Sequence, residues 1–91
     1  MKHFVDVYEP ISGRWFSWYL EDLDKLVEEL NFQLKRSNLT YNWLADYLQI
    51  PRVAMGSLPI QHNHVELEIN GVEQHGHGRY VLVFSNVRDS G

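Results

Sequence analysis

Between residues 23 and 34 the apolar side chains Leu23, Leu26, Val27, Leu30 and Leu34 recur at three-, four- and seven-residue spacing, which places them on one stripe of an α-helix. The segments on either side have a different rhythm. HFVDVYEP and RWFSWYL, which precede the helix, are β-branched and aromatic, and the turn residues Pro10, Ile11, Ser12 and Gly13 separate them, so a β-hairpin is predicted over residues 3–19. Beyond Pro59, Val65, Leu67 and Ile69 alternate with Glu66 and Glu68, the pattern of a strand with one dry face and one wet one. The last strand, RYVLVFSNV, is apolar on both faces, which predicts a central place in a sheet or cover by a partner. The fold class that accommodates both periods is α+β: an N-terminal β-hairpin, three helices, and a C-terminal antiparallel β-hairpin over residues 64–87. Either Asn70-Gly71 or the later His75-Gly76-His77-Gly78 can reverse the chain in that second hairpin.

The helical part is predicted over residues 21–58. Its first helix runs over 21–36, with Glu21, Asp22 and Asp24 near its start and Lys35 and Arg36 at its end, each sign on the side that the helix dipole favours. Ser37-Asn38 breaks it, Asn38 being suited to a left-handed cap. The Thr40 hydroxyl can accept from an orphan amide and so start a second helix over 41–48. Gln49-Ile50-Pro51 breaks the chain again, and Pro51 can open a third short helix that ends near Leu58, since its missing N–H would be unpaired there in any case.

Residues 40–58 therefore pattern as a helix-turn-helix, which needs a small residue at a close helix crossing and apolar residues to lock the angle. Ala45 supplies the first; Leu44, Leu48, Ile50, Met55 and Leu58 supply the second. From about Asp22 to Leu58 the chain resembles the phage repressor and Cro type of DNA-binding domain, in which an L-A-x-x-L core is followed by an apolar residue two positions on and by two more on the next helix. Gln49 departs from that pattern, because the family usually has glycine at this turn, where a left-handed backbone is strained for other residues. The resemblance implies a homodimeric DNA-binding regulator, paired half-sites requiring two-fold symmetry. Lys35, Arg36, Thr40, Arg52 and Ser57 are the candidate DNA-binding residues. Of the outward positions on the proposed recognition helix, only Arg52 and Ser57 carry hydrogen-bonding side chains that could read base edges.

Composition constrains the alternatives. Ninety-one residues, 44% of them apolar, suffice for one core, so a single domain over 1–91 is expected. Cysteine is absent, which removes disulfides and thiolate metal sites and points to a cytoplasmic protein. The N-terminus MKHFVDVYEP lacks the apolar run of a signal peptide, and no window approaches a membrane span. The net charge of −4 argues against a dedicated nucleic-acid binder. It is unevenly spread, however: residues 1–30 carry −4 and residues 62–91 carry −2, whereas residues 31–61, with Lys35, Arg36 and Arg52 against Asp46, carry +2.

His62/His64 and His75/His77 form two H-x-H pairs, which would approach each other in a hairpin and could ligate zinc, nickel or copper. Histidines in turns are commoner than histidine sites, so no metal and no cofactor is expected. Arg14, Trp15, Phe16, Trp18 and Tyr19 combine a cation with aromatic rings as single-stranded nucleic acid prefers. Core packing explains the rings more simply, with Trp18 and Trp43 joining sheet to helices; an exposed aromatic patch here would mark a protein interface. No nucleophile beside a base, no paired acid and base, and no phosphate-binding loop is found, so no enzyme activity and no catalytic residue is expected. Two readings remain: a helix-turn-helix regulator of double-stranded DNA, and a protein-binding module (inhibitor, antitoxin-like or accessory factor) on the same scaffold without DNA binding.

Overall fold

The computed structural model describes residues 3–71 and 76–86. Its elements are β1 (Phe4–Glu9), β2 (Arg14–Tyr19), α1 (Leu20–Lys35), α2 (Tyr41–Leu48), β3 (His64–Ile69) and β4 (His77–Ser85). The four strands form one sheet in the order β2-β1-β4-β3. Each hairpin is antiparallel, and a parallel pairing of β1 with β4 joins the two. The strand that is apolar on both faces, β4, is thus central.

Alternation along the strands selects the buried face. Val5, Val7 and Glu9 of β1, Val65 of β3 and Leu82 of β4 are buried, and the register puts Phe16, Trp18, Leu67, Tyr80 and Phe84 on the same side. Against that face lie Leu23, Leu26, Leu30 and Leu34 of α1, Leu39 of the connection, and Leu44 and Leu48 of α2. Aromatic stacking continues the joint: the Trp18 ring lies 6.0 Å from that of Tyr47, which lies 5.3 Å from that of Trp43. Burial, reinforced by the charges of Glu29 and Asp22, pushes the Tyr47 phenol above its usual range. The described chain measures 39 × 38 × 20 Å, the short axis fitting one helical layer upon one sheet.

Both helices end in the same way. Ser37 has φ 59° and Gln49 has φ 59°, each in the left-handed region. Asn38 N–H donates to the Gln33 carbonyl at 2.9 Å and Ile50 N–H to that of Ala45 at 2.8 Å, the six-to-one bond of a Schellman cap. The left-handed residue that ends α1 is therefore Ser37, following the C-cap Arg36, rather than Asn38. Gln49 accepts the conformation usually reserved for glycine, so Gln49→Gly is expected to stabilise the domain by about 0.5 kcal/mol, relief of left-handed strain slightly exceeding the added freedom of the unfolded chain. A chemical denaturation midpoint that falls instead of rising would contradict this.

The expected third helix does not form. Residues 51–53 are irregular and 54–58 make turns and a bend, so the described residues hold two helices, no helix-turn-helix over 40–58, and a mixed four-stranded sheet in place of a separate C-terminal hairpin. The cause is local. A helix between Pro51 and Pro59 would be too short to repay its nucleation, with Gly56 within it. Asn42 takes the segment's backbone groups instead: its Oδ1 accepts from Val53 N–H at 3.1 Å and its own N–H donates to the Gly56 carbonyl at 2.9 Å. Met55 and Leu58, expected under the crossing, are 72% and 59% exposed. Ala45 is buried as expected, although no recognition helix follows it.

Candidate functional site

The sheet face opposite the helices carries the most distinctive chemistry among the described residues. Register places Phe4, Asp6 and Tyr8 of β1 on it, Trp15, Ser17 and Tyr19 of β2, His77, Arg79, Val81 and Val83 of β4, and His64, Glu66 and Glu68 of β3. One half is aromatic. Phe4, Trp15 and Tyr19 are 43%, 51% and 48% exposed. Their rings are nevertheless ordered in pairs: Phe4 meets Tyr19 edge-on at 5.9 Å, and Tyr8 meets Trp15 at 5.1 Å. The Arg79 guanidinium lies 5.8 Å from the Trp15 ring centre, within the range of a cation–π contact.

Polar side chains fix this half from below. Asp6 accepts from the Ser17 hydroxyl at 3.0 Å and lies 2.9 Å from His77 Nε2, and His77 in turn meets the Phe4 ring edge-on. The hydrogen bond to His77, aided by Ser17 and the charge of Arg79, holds the Asp6 carboxyl below its usual range despite partial burial. A carboxyl that titrates lower folded than unfolded stabilises the fold fully above the unfolded value and loses that contribution as pH falls through the folded one. The stability difference between the protein and Asp6→Asn should therefore shrink as the solution is acidified below the ordinary aspartate range. A difference that is constant from neutral to strongly acidic pH would refute the linkage.

The other half, across β4, is acidic. Glu66 and Glu68 lie on β3, opposite Val83 and Val81, and His64 sits 3.3 Å from Glu66. Three strand spacings separate β2 from β3, or about 14 Å.

The residues predicted to contact DNA are dispersed. Lys35 is exposed at the end of α1, beside a polar hollow with Asn31, His62, Asn63 and His64. The Arg36 guanidinium lies 5.3 Å from the Phe32 ring centre, just before α2, whereas Arg52 lies beyond the far end of that helix, whose eight residues span about 12 Å. Arg52 is also engaged, its Nε donating to Asp46 Oδ1 at 2.8 Å and its Nη2 to the second carboxylate oxygen, an exposed pair that lowers the Asp46 pKa. Thr40 caps α2, its hydroxyl accepting from Trp43 N–H at 3.0 Å. Ser57 is exposed in the turn segment.

The histidines do not converge. His64 pairs with Ser85 at one end of β4 and His77 opens the other, about 26 Å away along the strand. His62 packs 5.8 Å from the Phe84 ring; His75 and Val87 lie outside the described residues. Among the described residues no three His, Cys, Asp or Glu side chains are placed to hold a metal, and no helix is long and apolar enough to cross a membrane.

A second feature is an open cleft of about 500 Å³ between the β1–β2 turn and the 51–58 segment, lined by Ile11, Arg14, Tyr41, Val53 and Met55. It is open to solvent, and its lining mixes the polar Ser12 and Arg14 with the apolar Ile11, Val53 and Met55.

Comparison with family models, curated proteins and solved structures finds no significant match to this chain. Its own residues are what speak for its function. Sequence reasoning named Trp15 and Tyr19 but not Phe4, Tyr8 or Arg79. The alternation of Phe4 and Tyr8 with buried Val5 and Val7 was the available signal for the first two; only the β1–β4 pairing brings Arg79 to Trp15.

Proposed function

We propose that this chain is a protein-binding module whose open sheet face receives a segment of another protein that carries aromatic or apolar anchors and, about 14 Å away, lysine or arginine. The observation that carries the reading is one uncovered face on which Phe4, Tyr8, Trp15 and Tyr19 cluster at one side and Glu66 and Glu68 stand at the other. Exposed aromatic rings already ordered by their neighbours lose little entropy on binding, and such residues dominate interface energetics. The carboxylates supply complementarity to a basic partner and steer its approach. The same carboxylates disfavour a phosphate chain on this face. With residues 51–58 in turns there is no helix at the place where the repressor resemblance needs one to enter a groove, and the net charge of −4 points the same way.

The test is selection of peptides from a displayed random library on the intact protein, with counter-selection on Trp15→Ser. Enriched peptides should combine an aromatic residue with Lys or Arg, bind Trp15→Ser at least about tenfold more weakly, and lose salt sensitivity with Glu66→Gln and Glu68→Gln. The reading fails if the enriched peptides are acidic, if they bind Trp15→Ser equally well, or if oligonucleotides compete for Trp15 fluorescence at physiological salt while peptides do not.

A further inference from the structure

The two edges of the sheet are treated differently. At the β3 edge Asn31 reaches from α1 to Val65: its Nδ2 donates to the Val65 carbonyl at 2.7 Å and its Oδ1 accepts from the Val65 N–H at 2.8 Å. A side-chain amide thus occupies the pairing positions that another strand would use, and Glu66 and Glu68 add charge along the same strand. These are devices by which proteins block edge-to-edge pairing. Along the β2 edge the only charged residue is Arg14, at its first position. Leu20 N–H donates to the His3 carbonyl, and the alternation of an antiparallel ladder then gives Leu20, Trp18, Phe16 and Arg14 to β1 while Trp15 and Ser17 turn their main-chain groups outward, the Tyr19 carbonyl being taken by the first turn of α1. Six residues of regular strand, RWFSWY, lie there without proline, lysine or aspartate, and among the described residues no strand lies beyond them.

The side-chain order of that strand is nearly palindromic about Ser17. Trp15 and Tyr19 flank it on the open face; Phe16 and Trp18 flank it on the helix side. We infer that β2 pairs antiparallel with β2 of a second copy of this chain, on a two-fold axis through Ser17. In this register Trp15 faces Tyr19 of the second copy, and Phe16 faces its Trp18, so every aromatic ring meets an aromatic ring. Ser17 meets Ser17, and Arg14 comes level with Leu20 beside Glu21 of the second copy, so no like charges oppose. An unrelated strand could use the same main-chain groups, but it would not be matched at every position by the sequence that a two-fold axis supplies. The result is a continuous eight-stranded sheet in which the two aromatic half-faces adjoin. A six-residue strand pairing buries less than the ~1,200 Å² of a standard stable interface, so the dimer dissociates on dilution.

Sedimentation equilibrium of the whole chain across a concentration series tests this. The expected result is a reversible monomer–dimer equilibrium, with exchange of the Trp15 and Ser17 amides slowed as the concentration rises. Ser17→Pro removes an outward N–H and no bond of the β1–β2 ladder, and Ser17→Lys puts two like charges on the axis; each should raise the dissociation constant at least about tenfold. Far-UV circular dichroism checks that each variant is folded, and if Ser17→Pro is not, Ser17→Lys decides. A single-chain mass up to about 1 mM, a dimer that both variants leave intact, or growth into larger species overturns the inference.

Discussion

Glu9→Ala is expected to lower the free energy of unfolding by about 2–4 kcal/mol, a large share of the roughly 5–15 kcal/mol available to a domain. Glu9 is fully buried, on the core side of β1 at its last position. It is there because the following turn needs acceptors. Its Oε1 accepts from Ile11 N–H at 2.6 Å, and its Oε2 accepts from Ser12 N–H at 2.8 Å and also from the Ser12 hydroxyl. The carboxylate thereby organises the Pro10–Gly13 reversal that sets β2 in register. Alanine leaves two amides and a hydroxyl to find water inside a tight turn. Glu9→Gln should cost nearly as much, since either orientation of the amide points an NH₂ group at a backbone donor. Ser12→Ala should cost about 1 kcal/mol, one hydroxyl bond. Urea titration measures all three, and a Glu9→Ala midpoint within error of the parent would show that the turn forms without its carboxylate.

What was legible in the sequence follows the range of the interaction that decides each element. The apolar stripe of α1, the Thr40 cap of α2 and the N-terminal hairpin are settled within a few residues, and α1, α2, β1 and β2 lie where local spacing puts them. The failed third helix is instructive because its apolar residues have the right spacing. What decides against it is Asn42, whose amide claims Val53 and whose backbone claims Gly56, a competition that spacing alone does not display. The parallel pairing of β1 with β4 joins residues more than seventy positions apart, so no local period records it. That pairing changes the functional reading most: it makes one sheet of two hairpins, separates the histidine pairs, and assembles Phe4, Tyr8, Trp15 and Arg79 on a common face. Aromatic residues that looked like core material divide by strand parity, Phe16 and Trp18 inward, Trp15 and Tyr19 outward.

Leu44 and Met55 give the sharpest discrimination between this architecture and a helix-turn-helix. Both would be sealed under a crossing of two helices, and truncating either would then cost about 2–5 kcal/mol. In the structure Leu44 is fully buried among the α1 leucines and the sheet, whereas Met55 is largely in solvent. Leu44→Ala is therefore expected to destabilise by about 3 kcal/mol and Met55→Ala by no more than about 0.5 kcal/mol, with unchanged denaturant dependence in both. The inequality is worth more than either value, because uncertainty in the cavity left by leucine moves one number and not the other. Comparable losses at the two positions would place residues 51–58 in a packed helix, remove the open cleft beside Ile11 and Arg14, and restore the groove-reading geometry that the turn segment denies.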